Sequence, residues 1–231
     1  MRNLSDVGAS GSGAWIAVQR AVEEYGKGGV AVSSSFQTQS MPLLHLVGRR
    51  QPRLDVIFVD TGYHFPETLA FRDAVVARFG LRLRVVRPDV QGFGDAAEAP
   101  YRTNPDLCCD VHKVQPVRAV MKEYRAWISG IRRDQSAVRA DAQPVEQGHD
   151  GLLRLHPMLD WTQADIEAYI AAHDLPRHPL DALGYTSIGC KPCTRPPVLG
   201  GDWRSGRWQG TGKTECGLHT RLRNRKTDDG Q

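Results

Sequence analysis

Five cysteines carry most of the chemical potential of this 231-residue chain: Cys108, Cys109, Cys190, Cys193 and Cys216. Cys108 and Cys109 are adjacent, and Cys190-Lys191-Pro192-Cys193 forms a C-x-x-C turn far downstream. Two thiolates close in sequence can ligate one metal centre, and two such pairs complete a four-thiolate site. On residue chemistry alone zinc and an iron–sulfur cluster fit about equally. Packed thiols, a vicinal disulfide or a zinc half-site are the plainer readings. An odd cysteine count makes a poor disulfide framework in a reducing compartment. It suits four ligands and one thiol left over. That fifth thiol lies in Lys213-Thr214-Glu215-Cys216-Gly217-Leu218-His219, with Arg221 close by. Cationic neighbours and exposure favour the thiolate, which is the nucleophilic form. A fifth ligand or an inert surface thiol is the alternative.

Three loops have the composition of anion or nucleotide seats. Ser33-Ser34-Ser35-Phe36-Gln37-Thr38-Gln39-Ser40 offers hydroxyls and backbone N–H groups at the start of a helix, a natural place for phosphate or sulfate. It has neither the Walker pattern nor the S-G-G-x-D-S of ATP pyrophosphatases, which argues against an adenylating function. Asp60-Thr61-Gly62 ends a strand and could hold a ribose hydroxyl or cap the next element. Gly130-Ile131-Arg132-Arg133-Asp134-Gln135-Ser136 brings two guanidinium groups, suited to bidentate recognition of phosphate or sulfate or to a surface ion-pair cluster. Lys113, one helical turn beyond Cys109, reads as a solvated helix charge or as a cation balancing a thiolate-rich centre.

These residues need a scaffold, and the alternation of segment types predicts an α/β domain. Strands are expected at 29–33, 54–59, 81–86 and 125–129. Helices are expected at 14–25, 41–47, 66–79, 111–124 and 160–173, the last capped by Asp160 or Thr162. The helix over 111–124 is entered straight after the cysteine pair. Right-handed crossovers place the strands in one mainly parallel, twisted sheet flanked by helices, and all three loops then fall at the carboxyl edge where such sheets bind ligands. From Pro196 the text is turn-like and ends basic and polar. The reading is therefore a domain over 1–195 and a mobile tail over 196–231.

Composition sets the outer limits. A hydrophobic share of 40% and a charged share of 24% are ordinary for a soluble protein. No apolar run reaches the ~18 residues of a membrane span, and the polar start of the chain is unlike a secretory signal, so a cytoplasmic location is expected. A net charge of +4 permits an anionic ligand without demanding nucleic acid.

Taken together, SSSFQTQS, VDTGYHFPET, CCDVHK, GIRRDQSAVRA, IGCKPCTRP, the RSGRW stretch and KTECGLH resemble, in that order, the phosphoadenylyl-sulfate and adenylyl-sulfate reductases. The resemblance implies an adenine nucleotide α-hydrolase-like fold. It implies that Cys216 attacks the sulfur of the sulfate–phosphate anhydride, expels the nucleotide and becomes an S-sulfocysteine, from which a thioredoxin or glutaredoxin thiol releases sulfite. A tail carrying that cysteine has to close over substrate and open for the partner. The set Cys108, Cys109, Cys190 and Cys193 resembles the subgroup that holds one 4Fe–4S cluster per subunit and prefers adenylyl sulfate over its 3′-phosphorylated form. Lys113 is similar to a lysine between cluster and substrate. Arg204 and Arg207 resemble arginines that clamp the substrate's anionic groups, with one of Arg132 and Arg133 sharing that work. Ser33, Ser34, Ser35 and Asp60, with Thr61, Gly62 and His219, complete the expected substrate site. A homo-oligomer is left open. Two departures stand out: Gln37 where the family usually carries Gly, and a single Trp208 where relatives often carry a run of Trp. A four-cysteine zinc protein that binds nucleic acid is the contrasting reading, and it leaves Cys216 without a role.

Overall fold

The computed structural model describes residues 9–89 and 100–219, and of residues 9–14 the backbone only. The basic residues Arg221, Arg223 and Arg225 lie outside the described residues. Short apolar segments make the strands: β1 (Val30–Ser33), β2 (Asp55–Val59), β3 (Arg82–Val86), β4 (Ala126–Ser129), β5 (Val145–Gln147) and β6 (Leu153–Leu155). They form one sheet in the order β3-β2-β1-β4-β6-β5. Every pairing is parallel except the antiparallel edge pair of β5 and β6.

The central strands are buried on both faces, as a sheet covered by helices requires. Alternate side chains feed two cores. Val30, Val32, Val56, Phe58 and Ile128 meet residues of α1 (Ala9–Tyr25), α2 (Met41–Arg50), α3 (Pro66–Phe79) and α7 (Gln163–Ala172). Ala31, Ile57 and Trp127 face Val117, Val120 and Met121 on the other side. Thr162, not Asp160, caps α7: its Oγ1 accepts from Asp165 N at 3.2 Å, and Asp165 Oδ2 accepts from Thr162 N at 2.8 Å.

One element differs from its sequence reading in a way that matters. The expected helix over 111–124 is a π-helical turn (Asp110–Val114) followed by α6 (Gln115–Met121), and α4 (Pro100–Thr103) and α5 (Pro105–Cys109) precede it. The cysteine pair therefore closes α5 and leads directly into the π-helical turn and α6. Asn104 caps α5 by accepting from Leu107 N at 3.0 Å, and Pro105 starts it. Pro116 has no N–H to give to the carbonyl of His112, so a regular turn cannot form there and a wider one takes its place.

The topology reverses at β1. Strands β2 and β3 lie to one side of it, and β4 and β6 to the other. In open α/β sheets the crevice at such a switch point is the ligand site.

Candidate active site

A cavity of about 170 Å³ opens at that crevice. Its walls come from the loops after β1, β2 and β4 and from the C-terminal segment: Ser33–Ser35, Val59, Gly130, Arg139, Arg204, Arg207, Cys216 and His219 all face it. The three serines share one hydrogen-bonding state. Ser33 Oγ accepts from Trp127 Nε1 at 2.8 Å, Ser34 Oγ from Phe36 N at 3.0 Å, and Ser35 Oγ from Gln37 Nε2 at 3.0 Å. A hydroxyl that accepts from an N–H keeps its own proton to donate. The loop after β1 is thus a row of O–H donors, which suits an oxyanion.

Cys216 is delivered to the cavity by the residue before it. Glu215 accepts from Arg139 Nε at 2.9 Å, Arg139 Nη2 at 2.8 Å and Ser136 Oγ at 2.7 Å, and Arg204 Nη2 lies 3.6 Å away. The paired side chains of Arg139 and Glu215 are only 10% and 9% exposed. Burial disfavours the carboxylate, but Arg139, Arg204 and the Ser136 hydroxyl outweigh it and hold Glu215 below the ordinary glutamate range. Two residues beyond Gly217, the His219 ring stacks on Trp127 with centroids 5.3 Å apart. Desolvation, with Arg139, His156, Arg154 and Arg204 nearby, keeps that ring neutral, well below the usual histidine range. Lys213 ion-pairs with Asp106 of α5, and Arg195 N donates to Gly206 O at 2.9 Å. Residues 196–219 thus lie against the domain in this structure.

Arg204 and Arg207 both line the cavity. Arg207 lies over the Trp208 ring at 4.3 Å, and its buried Nε has no hydrogen-bond partner among the described residues. Its guanidinium rests on the backbone of Gly189: a Cβ there would sit 2.3 Å from Arg207 Nη2. Only glycine gives that room.

Behind this cavity lies a second, lined by Cys108, Cys109, Cys190 and Cys193. Lys113 and Trp208 border both spaces and separate them. Burial, then Cys109, Cys190 and Cys193, push the Cys108 thiol up to about 12. Burial likewise raises Cys109 and Cys193. Burial opposes the charge of Lys113, yet Cys190, Cys216 and Cys109 outweigh it and hold Lys113 above the usual lysine value. Cys190 goes the other way: burial opposes its thiolate, but Lys113, the Thr61 hydroxyl and Arg207 outweigh that and hold it below the ordinary thiol value. One thiol poised to ionise beside three that resist it is a donor set that a positive centre would relieve. Among the described residues, no group of three or more His, Cys, Asp or Glu side chains is arranged to hold a metal ion.

Several expected substrate residues lie elsewhere. Arg132 is buried against Asp134 (2.9 Å) and Gln163 (3.0 Å). Arg133 pairs with Asp160 at 2.7 Å and donates to Ala140 O and Ala142 O. Neither faces the cavity. Arg139, one short turn further on, does, and sequence reasoning passed over it. Its signal was available, because Glu215 beside the candidate nucleophile needs a buried cation. Asp60, Thr61 and Gly62 also leave the cavity lining. Asp60 pairs with Arg87 at 3.2 Å and accepts from Gly62 N at 3.2 Å. Thr61 Oγ1 lies 3.3 Å from Cys190 Sγ. With Lys191 N donating to Tyr63 O at 2.7 Å, this loop braces the C-x-x-C turn instead.

Comparison with known proteins decides what the site belongs to. Residues 29–196 match the phosphoadenosine phosphosulfate reductase domain. The chain belongs to that family. An adenosine 5′-phosphosulfate reductase of Mesorhizobium japonicum is 43% identical over 205 residues, covering 87% of this chain and 80% of its own length. A phosphoadenosine 5′-phosphosulfate reductase of Gloeobacter violaceus is 43% identical over 197 residues, covering 82% of each. Among solved structures, phosphoadenylyl-sulfate reductase of Candida auris superposes with a TM-score of 0.67 at 24% identity, over 84% of this chain and 93% of that one. The fold is the adenine nucleotide α-hydrolase-like one expected, and the matched stretch carries the serine row, both cysteine pairs and Lys113. Among the described residues no helix is long and apolar enough to cross a membrane.

Proposed function

We propose that this chain reduces adenylyl sulfate to sulfite and AMP in sulfate assimilation, with Cys216 as the nucleophile. The observation that carries the reading is the convergence on one cavity of a free thiol, Arg139, Arg204, Arg207 and the serine donors. The Cys216 thiolate attacks the sulfur of the anhydride. The bond from sulfur to the bridging oxygen breaks, and AMP leaves with the electron pair. The sulfo group stays on Cys216 as an S-sulfocysteine. A thiolate of thioredoxin or glutaredoxin then attacks Cys216 Sγ and expels sulfite. The mixed disulfide is resolved by the partner's second thiol, which returns Cys216 to its reduced form. Nucleotide monophosphate is a good leaving group, and the arginines and serine hydroxyls offset the charge that develops on it.

Cys108, Cys109, Cys190 and Cys193 are the ligands we assign to one 4Fe–4S cluster; their donor chemistry suits four-thiolate ligation. Bound there, it supplies a fixed charge and rigidity behind the Lys113 and Trp208 partition. Lys113, which hydrogen-bonds Cys190 and borders both spaces, would set its positive charge between cluster and substrate. The cavity is filled from solvent and the partner is a soluble thiol protein, which fits a cytoplasmic enzyme.

The test is sulfite formation from adenylyl sulfate by the purified chain with thioredoxin. Wild type should turn over, and Cys216→Ser should bind AMP yet release no sulfite. Turnover by Cys216→Ser, or a wild type active only on the 3′-phosphorylated nucleotide, contradicts the proposal.

A further inference from the structure

Gln37 follows Phe36, whose φ is +53°, in the loop after β1. Its amide makes two contacts that bridge separate walls of the cavity. Oε1 accepts from Ile188 N at 2.8 Å, and Nε2 donates to Ser35 Oγ at 3.0 Å. A backbone N–H can only donate, so the oxygen must face Ile188 and the NH₂ must face Ser35. Two consequences follow. Ser35 has one acceptor lone pair occupied and keeps its proton for the cavity. Ile188 is held beside Gly189, the residue on which the Arg207 guanidinium lies. The same stretch has other anchors: Thr38 Oγ1 donates to Asp181 Oδ2 at 2.6 Å and accepts from His178 N at 2.9 Å, and Gln39 Nε2 donates to Thr186 O at 3.1 Å. Its fold therefore does not depend on Gln37 alone.

We infer that Gln37 is a positioning residue for the anionic group of the substrate, which makes Ser35 a donor and fixes the seat of Arg207 through one amide. This deepens the reductase reading and rests on it. The Gln37 side chain lies along the cavity wall and contributes to it.

Two substitutions separate this role from simple bracing. Glutamate can still accept from Ile188 N, but it has no N–H for Ser35, takes the serine proton itself and adds a negative charge at the wall. A brace tolerates Gln37→Glu better than Gln37→Ala; a residue that arms Ser35 tolerates it less. Gln37→Ala should raise KM for adenylyl sulfate and weaken AMP binding about 5- to 10-fold, the worth of a hydrogen bond or two, with kcat little changed. Gln37→Glu should lose more than that. In a Ser35→Ala background, Gln37→Ala should add a smaller loss than it does alone. AMP binding at the wild-type level in both Gln37 variants, or recovery by Gln37→Glu of what Gln37→Ala loses, overturns the inference. A wild-type chain that binds no AMP and makes no sulfite overturns the reductase reading instead.

Discussion

Replacing Glu215 by glutamine asks how the nucleophile is held in place. In the structure the Glu215 carboxylate receives three short hydrogen bonds, two from Arg139 and one from Ser136, and the pair is almost wholly withdrawn from solvent. Removing one partner of a buried ion pair costs about 3–5 kcal/mol, because the other charge is left without compensation. Glutamine keeps an oxygen for Ser136, so the lower end applies. About 3 kcal/mol is roughly a 100-fold fall in the ratio of closed to open tail, at 1.4 kcal/mol per decade. Two rates should move in opposite directions. Transfer of the sulfo group to Cys216 in a single turnover should slow by up to that factor, and alkylation of Cys216 by iodoacetamide, read on its own peptide, should accelerate. If both rates match wild type, the Glu215–Arg139 pair does not position Cys216. The pH dependence has a definite sign. A carboxyl held below its ordinary value stabilises the folded arrangement fully above that ordinary value, about 4.3 for glutamate, and the contribution fades as pH falls through the depressed one. Hydrogen exchange at 217–219 should therefore loosen on acidification in wild type and stay flat in Glu215→Gln.

Gly189→Ala places a methyl group 2.3 Å from Arg207 Nη2. Because the obstructed atoms end a flexible side chain, the chain should fold with an unchanged melting temperature, while KM for adenylyl sulfate rises about tenfold or more, the loss of a charge-assisted hydrogen bond; steady-state kinetics beside a melting curve checks it. Cys193→Ala should lose the visible absorbance expected of a thiolate-ligated iron–sulfur cluster while retaining far-ultraviolet circular dichroism, and an unaltered absorption spectrum would remove Cys193 from the ligand set.

Much of the scaffold was legible because buried parallel strands are written as apolar runs: VAVS, DVIFV and AWIS hardly read as anything else. Strands β5 and β6 were not, since VEQ and LRL are three residues each and half polar. The π-turn was hidden because a helical period continues through it, and only Pro116 marks the break. At the site, count and spacing singled out two cysteine pairs and set Cys216 apart, while the cluster and the nucleophile role came only with the family resemblance. The arginines were not. GIRRDQSAVRA carries three of them, and which one faces the cavity depends on two consecutive short turns, Arg133–Gln135 and Ala137–Arg139. The first turn leaves Arg132 and Arg133 to neutralise Asp134 and Asp160, and the second carries Arg139 to Glu215. Asp60 and Thr61 lie away from the cavity lining for a related reason. A polar strand end reads as a ligand contact, but here the thiol-bearing turn claims it.

The central claim is that the sulfo group passes through one named sulfur. Mass spectrometry of the chain mixed with adenylyl sulfate and no thiol partner tests it most directly. The account predicts the added mass of a single sulfo group on the peptide containing Cys216, removed when thioredoxin is supplied. An active preparation that carries the group on another cysteine, or on none, contradicts it.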